Sequence, residues 1–201
     1  MSRGKFITLE GIDGAGKSTH VGAIADFLRG RGREVVVTRE PGGTPLGEKL
    51  RAVLLSQAMT IDTETLLMFA ARREHIAQVI APALALGRWV ISDRFTDATY
   101  AYQGSGGGMD TDRIAVLERW VHDGLRPDLT LVFDVPVEVA LARLPKERKD
   151  RFESENKAYF ERVRAGYLER AAAEPHRVRV VDGSRPLNNV KKEVEDIISR
   201  L

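Results

Sequence analysis

The residues best suited to chemistry stand near the start of the chain, as Gly11-Ile12-Asp13-Gly14-Ala15-Gly16-Lys17-Ser18. They match G-x-x-x-x-G-K-[ST], the pattern of a phosphate-binding loop (P-loop), in full. Glycines let the backbone curl so that successive N–H groups converge on phosphate oxygens. The helix that follows, entered through Thr19, adds the partial positive charge of its N-terminus. Lys17 is placed to reach the β- and γ-phosphates of a nucleotide, and the Ser18 hydroxyl to ligate Mg²⁺. A chance glycine-rich turn is the bland alternative, but an apolar strand precedes the loop and an amphipathic stretch follows it. No guanine-reading N-K-x-D occurs, and 201 residues leave little room for the modules of a motor or partitioning ATPase. A small-molecule kinase is the class that remains.

A kinase needs a second substrate site. The second strand runs into Thr38-Arg39-Glu40-Pro41-Gly42-Gly43-Thr44. In a parallel sheet that edge lies beside the P-loop, where Arg39 could fork onto an acceptor phosphate or simply stand in a solvated turn. Phe69 and Arg73 are four apart, so on a helix they share a face. An aromatic to stack on a base and a cation for its phosphate would make a clamp, unless Phe69 only packs the core. The third strand ends in Ser92-Asp93-Arg94-Phe95, which sets Asp93 opposite the P-loop to hold Mg²⁺ or its waters. Asp134 competes for that role, although its place before Val135-Pro136 suggests a turn or cap.

Short apolar runs at 5–10, 34–38, 88–92, 128–134 and 177–182 read as strands buried on both faces, hence a parallel sheet. Helical patterns lie between them. Val21, Ile24, Ala25 and Leu28 form the first, ended by Gly30 and Gly32. In 62–86, Leu66, Phe69, Ala70, Ala77, Ile80 and Leu84 form one stripe, and 111–122, 137–144, 153–173 and 187–201 complete the set. This alternation predicts an α/β three-layer P-loop NTPase fold, a five-stranded parallel sheet flanked by helices, as one domain over 1–201. Gly104–Gly108 is expected to be mobile, and 145–152, dense in charge, to form a short lid.

Hydrophobic residues make up 43% and charged residues 30%, enough to build a core and stay soluble. Net charge is only +2, without the basic excess of a nucleic-acid binder, and the absence of cysteine excludes disulfides and thiolate chemistry. The four histidines are too scattered for a zinc site, and no run is long enough for a signal peptide or a membrane span. A cytoplasmic protein is the default.

The loop Glu10–Thr19, Thr38–Thr44, Leu67-Met68-Phe69-Ala70-Ala71-Arg72-Arg73, Asp93-Arg94-Phe95 and Ala101-Tyr102-Gln103-Gly104 together resemble the bacterial thymidylate kinases in order and spacing. Arg126-Pro127-Asp128 and Asp150-Arg151-Phe152-Glu153 extend the likeness over nearly the whole chain. The resemblance implies in-line phosphoryl transfer from Mg·ATP to dTMP, giving dTDP and supplying dTTP synthesis, by a homodimer. It implies that Asp13 bonds the sugar 3′-hydroxyl and that Arg39, Arg73 and Arg94 hold the acceptor phosphate. Phe69 would stack on thymine, with Thr99 and Gln103 also in the substrate site, and Tyr102 would fill the place of a 2′-hydroxyl. Ser184-Arg185-Pro186-Leu187 would flank the adenine. A kinase for another pyrimidine monophosphate is the alternative, and a silent P-loop binding module would have no use for Lys17, Ser18, Asp93 and three phosphate arginines.

The acceptor oxygen is ionised at neutral pH, so positioning and charge neutralisation carry the reaction. A mobile cation should still meet the transferring phosphate. Arg143, Lys146, Arg148, Lys149 and Arg151 cluster around the expected lid, where 145–149 departs from the alternating arginines and glycine common in the family. Arg148 or Arg151 is expected to supply the contact.

Overall fold

The computed structural model describes residues 3–144, 151, 152 and 155–201. At its centre lie β1 (Phe6–Glu10), β2 (Val35–Arg39), β3 (Trp89–Asp93), β4 (Leu129–Asp134) and β5 (Val178–Asp182), all parallel, in the order β2-β3-β1-β4-β5. Each bound lies within one residue of the apolar run that marks it. All of β1 is buried, as is β4 up to Asp134, because both faces are covered. The edge strands β2 and β5 expose Val37 and Val180. The chain fills one side of β1 before crossing to the other, so the crevice at the carboxyl ends of the central strands is the topological switch point.

Helix α1 (Lys17–Gly30) packs on β2, β3 and α9 (Leu187–Ile198), while α8 (Lys157–Ala173) packs on β4 and β5. The sequence pattern finds α1, ended by Gly32 at φ 75°, and it finds α6 (Thr111–His122) and α7 (Val137–Arg143). Asn156, rather than a residue near 153, starts α8 by accepting a bond from the Tyr159 N–H at 2.9 Å. Helix α2 (Pro45–Ser56) goes unseen because it buries only Gly47 and Leu54 and so has no stripe. Its signal is the cap, where the Thr44 hydroxyl accepts from Gly47 N at 2.9 Å and Pro45 opens the first turn.

The long helix expected over 62–86 is α3 (Ile61–His75), a π-helical turn (Ile76–Ile80) and α4 (Ala81–Ala85). Its stripe is half wrong: Phe69, Ile80 and Leu84 are buried, but Leu66, Ala70 and Ala77 are exposed. The buried face of α3 is instead polar, carrying Glu64, Arg72 and His75, each with a partner. Between β3 and α6 lie α5 (Thr96–Thr99) and a π-helical segment, Tyr100–Gly106. Gly104 and Gly106 are buried there rather than mobile, because α6 lies against the first through Ile114 and α8 against the second. A Cβ at Gly106 would come 2.7 Å from Val163 Cγ2 and 2.9 Å from Tyr159 Cε2. Of the expected lid, 145–150 lie outside the described residues, and with them Lys146, Arg148 and Lys149. No helix among the described residues is long and apolar enough to cross a membrane.

The packing reading of Gly106 has a direct consequence. Gly106→Ala should lower unfolding free energy by about 1–3 kcal/mol in a urea titration, the cost of overpacking a filled contact. A free loop would tolerate the same change.

Candidate active site

Two clefts meet at the carboxyl end of the sheet. One is floored by the P-loop, where Gly11, Gly14 and Gly16 take φ of 133°, 80° and 96°. Gly14 must also be small, because a Cβ there would sit 2.1 Å from the Ala140 carbonyl oxygen of α7. Lys17 is buried, not exposed, and its Nζ donates to the carbonyls of Gly11 at 2.9 Å and Ile12 at 3.0 Å. Burial, and then Arg94, lower its pKa to about 8, against the pull of Asp13, Asp93 and Glu10. Ser18 and Thr19 lie exposed in the same cleft. Asp93 closes it from β3, and its Oδ1 is buried with no hydrogen-bond partner among the described residues. A carboxylate with an orphaned oxygen, lining the same cleft as a serine hydroxyl and a phosphate cradle, is a donor set that suits Mg²⁺, which takes few protein ligands besides substrate phosphates.

Arg94 stands between the clefts and lines both. It is a non-glycine residue at φ 71°. Its guanidinium donates to Asp13 at 2.7 Å, Tyr102 at 2.8 Å and Tyr167 at 2.9 Å, and the Tyr102 hydroxyl donates to Asp13 at 2.9 Å. Burial opposes charge on Asp13, yet Arg94 and Lys17 outweigh it and hold the carboxyl at about 2.

The second cleft is enclosed by Met68, Phe95, Ala98 and Phe152, with Arg72, Thr99 and Gln103 as polar walls. Of the residues expected at the acceptor, Thr99, Tyr102 and Gln103 line this cleft. Phe69 and Arg73 do not. Phe69 is core, 2% exposed, and Arg73 turns outward to donate to the Val121 carbonyl at 3.2 Å. The phase of α3 is one residue earlier than expected, so the i, i+4 pair facing the cleft is Met68 and Arg72. Arg72 is held from three sides: it donates to Glu40 at 2.7 Å, to Thr99 at 3.1 Å from two nitrogens, and to the Phe95 carbonyl at 3.1 Å. Glu40 in turn accepts from His75 Nδ1 at 2.9 Å, and burial is outweighed by Arg72 and His75 in lowering its pKa.

Other cations are redistributed. Arg39 is exposed and paired with Glu48 at 2.9 Å at the mouth of the P-loop cleft, whereas Arg51 lines both clefts. Arg51 escapes the sequence reading because α2 does. Arg151 does not face the P-loop: it pairs with Glu64 and donates to the Leu54 carbonyl at 3.2 Å. Among the described members of that basic cluster, Arg143 reaches the P-loop, with bonds to the carbonyls of Gly14 and Gly183, both at 3.3 Å. Arg185 is exposed and paired with Glu193, one turn from that contact. Asp134 is spent on Arg164, which it accepts from at 2.6 and 2.9 Å, so it does not compete with Asp93.

Comparison with known proteins agrees with this geometry. The family model for thymidylate kinase matches residues 9–194. A thymidylate kinase of Methylobacillus flagellatus is 62% identical over 197 residues, covering 98% of this chain and 97% of the relative. One of Cupriavidus pinatubonensis is 63% identical over 202 residues, covering 99% of this chain and all of the relative. The crystal structure of thymidylate kinase from Ehrlichia chaffeensis superposes with a TM-score of 0.81 at 36% identity, covering 98% of this chain and 99% of that one. On sequence and fold alike, the chain belongs to the thymidylate kinase family.

Proposed function

We propose that this chain transfers the γ-phosphoryl group of ATP to dTMP, forming dTDP and supplying dTTP synthesis, with all of 1–201 acting as one domain. The observation that carries this reading is the meeting of a phosphate cradle and a half-open cleft with apolar and charged walls across the Arg94–Asp13 pair. A pyrimidine fits between Met68 and Phe95, with Arg72 and Thr99 at its polar edge. The sugar then lies over Tyr102 and Asp13, and its phosphate points to Arg94 and Arg51. The P-loop N–H groups and Lys17 hold the ATP phosphates from the other side.

Lys17 must exchange two carbonyl partners for phosphate oxygens, which favours it because charge-assisted bonds are the stronger ones. Arg94 touches both phosphate positions and neutralises charge that builds between them. Arg143 lies ready on the donor side, while Arg151 is paired with Glu64 and Arg148 lies outside the described residues. Ser18 and Asp93 would hold the Mg²⁺ that accompanies ATP, whose charge screens the phosphates for in-line attack. No side chain is needed as a general base, because the acceptor oxygen is already ionised. We infer a cytoplasmic enzyme, in keeping with its nucleotide substrates.

A homodimer is supported by one surface. Helices α3 and α6 lie side by side, joined by Arg113–Asp62 and by Arg73 to Val121, and they expose Leu66, Val116 and Trp120 together. An apolar face of that kind marks an interaction site. Leu66→Lys with Trp120→Lys should shift the native species to monomer in sedimentation; an unchanged mass would remove this face from the dimer.

An ADP-coupled assay across monophosphates tests the activity. dTMP should exceed dUMP in kcat/KM by the worth of one methyl, about 10-fold or more, and UMP should trail both. Equal use of UMP and dTMP would refute the reading. Lys17→Ala should cost roughly 10³ in kcat with the fold kept by circular dichroism. Arg72→Ala should raise KM for dTMP and spare KM for ATP, whereas Arg73→Ala should change neither. The reverse ranking would mean that α3 meets the substrate through its other face.

A further inference from the structure

Gln103 is buried at 1% exposure, and its Nε2 donates to Glu64 Oε1 at 2.6 Å. The second oxygen of Glu64 pairs with Arg151, so the carboxylate is spent on both sides and is itself 3% exposed. An ion-paired carboxylate only accepts, whereas a carboxamide has one accepting and one donating end. The nitrogen of Gln103 must therefore face Glu64, and its Oε1 has no hydrogen-bond partner among the described residues. Gln103 lines the base cavity, so a bare carbonyl oxygen is the atom it offers to a ligand there.

We propose that Glu64 sets pyrimidine choice, by locking the Gln103 amide with its carbonyl toward the cavity so that a ring N–H is accepted and a ring nitrogen lone pair refused. This rests on the reading of the cavity as the base pocket. Thymine and uracil carry N3–H beside a carbonyl oxygen at C4. Cytosine inverts both, with a lone pair at N3 and an amino group at C4. Arg72 on the same wall is a donor only, so it faces the C4 substituent with the matching preference. Two fixed polarities, one from Arg72 and one from the Glu64–Gln103 pair, accept pyrimidinediones and exclude cytosine. Glu64 touches no substrate and is a positioning residue. Its link to Arg151 also ties this wall to the segment that follows α7.

The test is Glu64→Gln in the full-length enzyme, with dTMP, dUMP and dCMP at fixed Mg·ATP. Glutamine keeps the shape but can donate or accept, so the Gln103 amide is free to turn over. The dTMP-to-dCMP ratio of kcat/KM should fall by about tenfold or more, the worth of one buried hydrogen bond mispaired. The dTMP-to-dUMP ratio should stay, because both bases carry N3–H. A variant with an unchanged dTMP-to-dCMP ratio, or one that loses all three substrates in parallel, overturns the proposal. Should Glu64→Gln fail to fold, Gln103→Met leaves the Glu64–Arg151 pair and removes the amide. It should lower kcat/KM for dTMP and dUMP and spare dCMP; an equal fall for all three overturns it too. A native enzyme that uses dCMP and dTMP alike would instead remove the base-pocket reading itself.

Discussion

The contact between Arg94 and Asp13 is the one on which the rest of the site depends. It joins the turn after β3 to the P-loop, and each partner is buried enough to need the other. Arg94 pays for its place with a left-handed backbone, at about 1–2 kcal/mol for an L-residue. That conformation is held by the bond from Phe95 N to Glu10 at 2.7 Å and by Arg94 N to the Leu9 carbonyl at 2.9 Å. The turn sends Phe95 inward to pack edge-on against Phe6 and sends the guanidinium outward across the P-loop. A straighter exit from β3 would separate the two clefts.

Around this pair the charges are arranged so that few are left uncompensated. Glu10 sits fully buried, where desolvation, with Asp97 adding to it, raises its pKa to about 8. It nevertheless accepts from Phe95 N and from the Tyr167 hydroxyl, and Tyr167 accepts from Arg94. The carboxyl ends of β1, β2 and β3 thus supply Glu10, Arg39 and Asp93 to one edge, and the P-loop adds Asp13 and Lys17. Apart from the two carbonyl partners that Lys17 gives up, these dipoles and charges are set before phosphate arrives, which is where electrostatic catalysis gains most.

Much of this could be read from the sequence, and the reasons are specific. The strands are legible because central parallel strands are apolar throughout, and the P-loop because its chemistry demands glycine and lysine at fixed spacing. Helix α2 is hidden by its exposure, since a helix that buries two residues leaves no periodic trace, and Arg51 is lost with it. The clamp on α3 is displaced by one residue for a related reason. An apolar stripe was sought there, but Leu66 and Ala70 face outward while the buried face carries charge satisfied by Glu40 and Thr99. Helical phase inferred from hydrophobicity fails where polar networks occupy the interior. The glycines at 104 and 106 look mobile only while α6 and α8, which cover them, are not in view.

The π-helical segment after α5 explains how one short stretch serves both chemistry and packing. Its wider turn lets Thr99, Tyr102 and Gln103 all line the same cavity, and wide turns of this kind recur at functional sites. The opposite side is then free for Gly106, which admits α8 close enough for the Tyr159 hydroxyl to donate to the Tyr102 carbonyl at 3.3 Å. Tyr102 is also flanked edge-on by the rings of Phe152, Tyr159 and Tyr167. A residue so enclosed cannot swing away from the cleft, and through its hydroxyl it holds Asp13 in line with Arg94. The shape of that cleft and the position of Arg94 beside the P-loop are therefore fixed by the same few side chains. A nucleotide that does not fill the first cannot bring its phosphate correctly to the second, and discrimination is enforced through positioning as well as through affinity.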